Sequence, residues 1–138
     1  MKVVPLKEED LKPLSEKTDR YSFKELKNLS SKRCVRIFVL KEEKEILGYS
    51  LCWIFNEEAE LHWIEIFPPH RGKGLGKLLL KETLNYLSGE GVKKVFLEVE
   101  ENNQRALNLY RAFGFKENGR RKNYYPSGRD AILGVLNL

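Results

Sequence analysis

Arg71-Gly72-Lys73-Gly74-Leu75-Gly76 alternates glycine with cationic and apolar residues, and it lies between two stretches of different character. Upstream, Glu60 to Phe67 reads as a strand closed by Pro68-Pro69. Downstream, Leu79, Leu80, Thr83, Leu84 and Leu87 keep helical spacing from Leu75 onward. A glycine turn between a strand and a helix N-terminus is an anion site. Glycine lets the backbone approach a ligand, the first helical amides have no partners, and the helix dipole favours negative charge. Arg71, Lys73 and Lys77 add cations at the same place. The chemistry expected of this loop is the binding of a pyrophosphate. The competing reading is a structural turn beside solvated lysines.

Three anion loops compete for the hexapeptide. A Walker loop anchored on Gly76-Lys77 would need a glycine where Arg71 stands and a magnesium-binding hydroxyl where Leu78 stands. A dinucleotide fingerprint starting at Gly72 or Gly74 meets Lys77 or Leu79 in place of its third glycine. Arg-x-x-Gly-x-Gly fits in full. A second candidate for chemistry is Glu98, the lone carboxylate in Val95-Phe96-Leu97-Glu98-Val99. Desolvation in an apolar run suits a carboxylate to proton abstraction. The same residue also reads as a glutamate on the polar side of a strand. His62 and His70 stand eight positions apart with no third ligand near, so no metal is expected.

The elements that must position these residues can be read in outline. Lys7 to Leu29 is helix-like and broken, with Pro13 and the polar stretch Ser15 to Ser22 as breakers. Cys34 to Leu40, Ile46 to Phe55 and Glu60 to Phe67 form an antiparallel meander around a charged tip, Lys41 to Glu45, and a turn at Asn56-Glu57-Glu58. Gly89 to Gly91 closes the long helix, and Val95 to Val99 is expected as a buried strand parallel to the third. Asn102 or Asn103 caps a further helix with the stripe Ala106, Leu109, Tyr110 and Phe113, and Gly114 stops it. Strands over about 115–123 and 130–136 complete the chain. The fold class expected is α/β: one domain over 1–138, with a mixed, mostly antiparallel sheet, a central β-α-β unit and flanking helices.

Composition sets the bounds. The 138 residues are 41% hydrophobic and 33% charged, which fits one folded domain. Net charge is +5, but 20 acids are interleaved with the bases, so an anionic ligand is expected and a nucleic-acid stripe is not. No apolar run approaches the roughly 20 residues of a membrane helix, and the first ten residues lack a signal-peptide core. The expectation is a cytoplasmic protein without a membrane partner. Cys34 and Cys52 then read as two buried free thiols.

Taken together, these motifs resemble the GNAT acetyltransferase superfamily, in which the Arg71 to Gly76 loop holds the pyrophosphate of acetyl-coenzyme A. Ile64-Glu65-Ile66-Phe67-Pro68 is similar to the family's preceding strand, Gly91 to Val99 to its following strand, and Asn103 to Phe115 to its Asn-x-x-Ala-x-x-Leu-Tyr-x-x-x-Gly-Phe segment. Residues 60–138 resemble more closely the ribosomal-protein alanine N-acetyltransferase branch, through Arg121-Lys122-Asn123-Tyr124-Tyr125-Pro126 and Asp130-Ala131-Ile132. The first 59 residues share little beyond Tyr21-Ser22-Phe23.

The resemblance implies residue roles. Glu98 falls on the proton-acceptor glutamate and Tyr110 on the tyrosine that protonates the coenzyme A thiolate. Asn103 matches a cofactor-contacting asparagine. The backbone of Ile64, Glu65 and Ile66 would serve cofactor and thioester, and Gly72, Lys73, Gly74, Leu75, Gly76 and Lys77 would bind pyrophosphate with Arg71. Tyr124 and Tyr125 would line a peptide N-terminus. Residue types alone allow plainer roles: a core tyrosine at 110, a helix cap at 103, strand core at 64–66 and a turn-flanking aromatic pair at 124–125. Two positions depart from the branch. Glu65 stands where it has a small residue and Trp63 where it often has a polar one, so Glu65 or Glu60 is a candidate to share the base role. The expected activity is acetyl transfer from acetyl-coenzyme A, without metal, to a protein N-terminus such as that of a ribosomal protein. An α-amino group titrates near 7.7–8.0 against about 10.4 for lysine, so a modest base suffices. The alternatives are a small amine or lysine side chain as acceptor, and a non-catalytic coenzyme-binding or RNA-associated module.

Overall fold

The computed structural model describes all 138 residues. Its strands are β1 (Lys2–Pro5), β2 (Val35–Glu42), β3 (Glu45–Phe55), β4 (Glu58–Ile66), β5 (Lys94–Glu100), β6 (Lys116–Arg121) and β7 (Ala131–Asn137). Its α-helices are α1 (Leu11–Lys17), α2 (Phe23–Ser30), α3 (Leu75–Gly89) and α4 (Gln104–Ala112). The strands form one sheet in the order β1-β2-β3-β4-β5-β7-β6. Only β4 and β5 pair in parallel, and α3 crosses between them.

The meander, the β-α-β unit and the two last strands agree with the sequence reading. That reading assigns no strand to Lys2–Pro5, where Val3 and Val4 give a short apolar signal among charged and turn residues. Pairing with β2, Val3 opposite Leu40, supplies the missing order. Pro13 does not break the helical region: it lies in the first turn of α1, where its absent N–H costs nothing. The break is at Thr18 to Ser22. Ser22 then caps α2 through a reciprocal box with Glu25, its hydroxyl accepting from the Glu25 amide at 3.1 Å.

Strand alternation sorts the core onto two faces. On one, Cys52, Ala59 and Leu61 meet Leu80, Leu84 and Leu87 of α3, together with Val95, Leu97 and Val99 of β5. On the other, Val35, Ile37, Tyr49 and Leu51 meet Leu11, Leu14 and Leu26 of α1 and α2. Cys34 and Cys52 are free, but only Cys52 is buried; Cys34 precedes β2 and is partly exposed.

Two irregularities open the sheet at its centre. The β4–β5 ladder holds only the pairs Glu58–Lys94, Ala59–Val95 and Glu60–Phe96, after which the strands diverge. At the same level β4 bulges: Leu51 faces Trp63 and Cys52 faces Leu61, so His62 is left over. The extra residue reverses the alternation. Glu60, His62, Trp63 and Glu65 come to share the α1–α2 face, while Leu61, Ile64 and Ile66 face α3.

Candidate active site

The glycine loop sits at one mouth of this opening. Gly72 and Gly74 have φ of +80° and +76°, a conformation that L side chains resist, and no neighbour would obstruct a Cβ at either. Glycine is needed here for the backbone turn, not for space. From Gly72 to Lys77 no amide donates to a backbone acceptor, the first such bond being Leu78 N–H to Gly74 O at 3.3 Å. Gly74 caps α3 without a side-chain partner. Lys73 and Lys77 are exposed at the same place. A run of unpaired amides at a 15-residue helix start is chemically suited to the oxygens of a diphosphate.

Arg71 does something more local. Its Nε donates to the Ile66 carbonyl at 2.8 Å, tying the loop to the end of β4. That carbonyl is thereby occupied, and since the backbone of Glu65 is turned to β3, Ile64 and the Ile66 amide are the backbone groups on the diverging edge.

Glu98 alternates with the buried Leu97 and Val99, so it faces the side opposite α3 and α4. The apolar surroundings expected of it are absent. Its side chain is 28% exposed, and Oε1 lies 3.2 Å from Arg121 Nε on β6. The reason is topological: β7 inserts between β5 and β6, so the basic end of β6 is carried over the acidic face of β5.

Tyr110 comes from the opposite side. It packs with the α3 core and meets Phe115 edge to face at 5.6 Å. Burial, and secondarily Cys52 nearby, raises its hydroxyl well above the ordinary tyrosine range. It therefore carries its proton at any working pH. Asn103 caps α4, its side-chain oxygen accepting from the Ala106 amide at 3.2 Å, which leaves its amide nitrogen unused.

The Tyr124-Tyr125 segment is a built loop. Asp130 accepts from the Asn123 amide at 3.1 Å and from Arg120 at 3.1 Å, and its own amide donates to Glu101 at 2.6 Å. The Asn123 bond, against the opposing effect of burial and with further help from Arg120 and Lys122, holds the Asp130 carboxyl below its usual range. Ser127 donates to Glu100 at 2.8 Å. Tyr124 meets Tyr125 edge to face at 5.2 Å and lies under Arg121 at 5.5 Å. The Tyr125 hydroxyl is raised by partial burial first, then by the charges of Glu98 and Glu100. Arg121, paired with Glu98 and lying over Tyr124, makes the loop and the carboxylate expected to act as base neighbours.

Glu65 is engaged in a way the sequence does not announce. One of its oxygens lies 3.2 Å from both Thr18 Oγ1 and Trp63 Nε1, and Thr18 in turn meets the buried Tyr49 hydroxyl at 2.7 Å. Arg20 lies over the Trp63 ring at 4.7 Å. This network fixes the α1–α2 connection onto β4. Thr18 carries no motif, and only the fold brings it to Glu65 and Tyr49. His62 lies 3.4 Å from Glu60 and His70 3.0 Å from Glu45, at separate places.

Comparison with known proteins agrees with this geometry. Residues 3–115 match the acetyltransferase (GNAT) family. A [ribosomal protein bS18]-alanine N-acetyltransferase of Haemophilus influenzae is 41% identical over 106 residues, covering 77% of this chain and 71% of the relative. Its Escherichia coli K12 counterpart is 35% identical over 104 residues, covering 73% and 70%. The crystal structure of the ribosomal-protein-S18-alanine N-acetyltransferase from Escherichia coli superposes with a TM-score of 0.88 at 28% identity, over 99% of this chain and 92% of that one. The NatC complex bound to Gag peptide and CoA shares the fold, with a TM-score of 0.81 at 23% identity over 100% of this chain and 99% of that one. The splayed β4–β5 pair, the glycine loop at α3 and these similarities lead to one conclusion: this chain belongs to the GNAT family of acetyltransferases.

Proposed function

We propose that the enzyme acetylates the N-terminal α-amino group of a protein, a ribosomal protein of the bS18 kind being the first candidate, and that it does so in the cytoplasm. The observation that carries this reading is the placement of Glu98 beside the Tyr124-Tyr125 loop, on the face of the sheet opposite the α3 core. That leaves one side of the opening for cofactor and the other for an extended chain end.

The residues present fit acetyl-coenzyme A. The amides of Gly72 to Lys77 would hold its pyrophosphate, with Arg71, Lys73 and Lys77 adding charge, and Asn103 would reach it from α4. Of Ile64, Glu65 and Ile66, the backbone of Ile64 and the amide of Ile66 would meet the extended arm along the open edge of β4, Glu65 being turned to β3. When bound, the cofactor supplies an acyl thioester.

Glu98 takes the proton of the acceptor ammonium, directly or through one water, so that the nitrogen lone pair is free. Tyr110, on the α3 side of the sheet, would serve the thioester sulfur from that side when the cofactor is bound. A hydroxyl raised above the tyrosine range does not surrender its proton outright to a thiolate, whose pKa is about 8.5. Its role is to donate a hydrogen bond as negative charge develops there. Tyr124 and Tyr125 align the peptide.

Glu60, Glu65 and Glu98 on one face also suit a polyamine acceptor, which is the second reading. Release of coenzyme A thiol, followed with ribosomal-protein N-terminal peptides, N-terminally blocked lysine peptides and polyamines, separates the two. No thiol release with any of them would end the enzymatic reading of the site.

A further inference from the structure

A cavity of about 280 Å³ opens on the acceptor face, beside the site and not part of it. Tyr21, Trp53, Phe55, Glu60 and His62 line it, with two leucines completing the wall. Its size is that of one long side chain, below the range of most small-molecule sites.

Its chemistry is specific. Trp53 and Phe55 lie nearly parallel, 5° apart, with centroids separated by 6.4 Å. Phe55 is 56% exposed, a large apolar ring held toward solvent. The Tyr21 hydroxyl is buried and has no hydrogen-bond partner, alone among buried side-chain polar atoms. Glu60 stands opposite Trp53 in the ladder with its carboxylate about half exposed. Exposed aromatic faces and one carboxylate are the components that recognise an organic cation. Rings at this face already carry one cation, since Arg20 lies over Tyr21 at 5.6 Å and over Trp63 at 4.7 Å. Arg20 does not line the cavity, and its positive charge works against a second cation, as does His62 in the wall whenever it is protonated.

The cavity is also at the right distance. Glu60 pairs with Phe96, and Glu98 is two residues farther along β5 on the same face, roughly 7 Å away along the strand. An extended peptide covers about 3.3–3.6 Å per residue. A side chain borne by the second to fourth residue of an acceptor whose amine is at Glu98 reaches the cavity.

We propose that this cavity binds a cationic side chain, arginine above all, carried within the first four residues of the acceptor, and so selects N-termini with a basic residue close behind. The proposal rests on the N-terminal acetyltransferase reading. A planar guanidinium stacks on the rings while donating through two N–H groups to Glu60, which an ammonium does less completely.

The test uses alanine-first peptides with a single arginine at the second, third or fourth position, each against its neutral isostere citrulline. Thiol release gives the ratio of kcat/KM for arginine over citrulline, in the wild type and in Phe55→Leu and Glu60→Gln. The ratio cancels any part Glu60 plays in proton transfer. A ratio of about ten at one position, falling toward one in both variants, is expected. A ratio of one at every position, or one that persists in both variants, overturns the proposal and leaves the acetyltransferase reading intact. If no peptide turns over, that reading falls, and the Trp53 indole N–H resonance decides the cavity. A shift with the arginine peptide and none with citrulline supports it; equal responses overturn it.

Discussion

Glu98 Oε1 lies 3.2 Å from Arg121 Nε, so the carboxylate proposed as base is held by the residue that also covers Tyr124. Removing the carboxylate without changing its shape is the direct test. Glu98→Gln is expected to lower kcat by about 10²-fold or more while leaving acetyl-coenzyme A affinity unaltered. A rate within a factor of two of the wild type would move the base to Glu60, since Glu65 is engaged with Thr18 and Trp63.

Tyr110→Phe removes one hydroxyl from a largely packed ring. The fold should hold, because Phe keeps the contact with Phe115. The expected effect is a fall in kcat of about 10- to 10³-fold with little change in KM for the peptide. A wild-type kcat in the Phe variant would reduce Tyr110 to a core residue.

Gly74→Ala places a Cβ at φ +76° where no atom obstructs it. The cost is conformational, about 1 kcal/mol of stability. If the loop relaxes to relieve it, the run of free amides is lost. Calorimetric titration with coenzyme A should then show a dissociation constant raised by 10-fold or more, whereas Gly89→Ala, at the far end of α3, should leave it unchanged.

Asp130→Ala removes the acceptor for the Asn123 amide and for Arg120. Trypsin should then cut at Lys122 or Arg129 several-fold faster, and peptide KM should rise more than kcat falls. The carboxyl is held below its ordinary value of 3.8 in the fold, so its contribution is present above that pH and lost as pH falls through the lower folded value. Loop protection against an acid-active protease should therefore weaken only below about pH 4.

Much of the cofactor side was legible in the sequence because it depends on local patterns. The glycine spacing, the helical leucines and the Asn103 cap each act within a few residues. The Asp130 pairing was visible only as a resemblance, and its cause is a loop closed across seven positions by one side chain. The acceptor side was less legible. The surroundings of Glu98 come from β6, brought over it by an inserted β7, and no window of sequence contains that order. The His62 bulge moves Trp63 to the face of Glu60, which simple alternation predicts wrongly. Thr18, 47 positions from Glu65, has no signal of its own.

The three-pair ladder between β4 and β5 has a further consequence. Past Glu60 the molecule contains an edge strand inside its own sheet, because β4 has no ladder partner there on its β5 side. The two halves of the sheet remain joined there by side chains, since Leu61 shares a core with Leu97 and Val99. Widening the gap thus breaks no ladder bonds. An unpaired strand edge of this kind suits a slender, extended ligand with alternating donors and acceptors. The kind of edge that invites aggregation on a protein's rim lies here between two strands of one sheet.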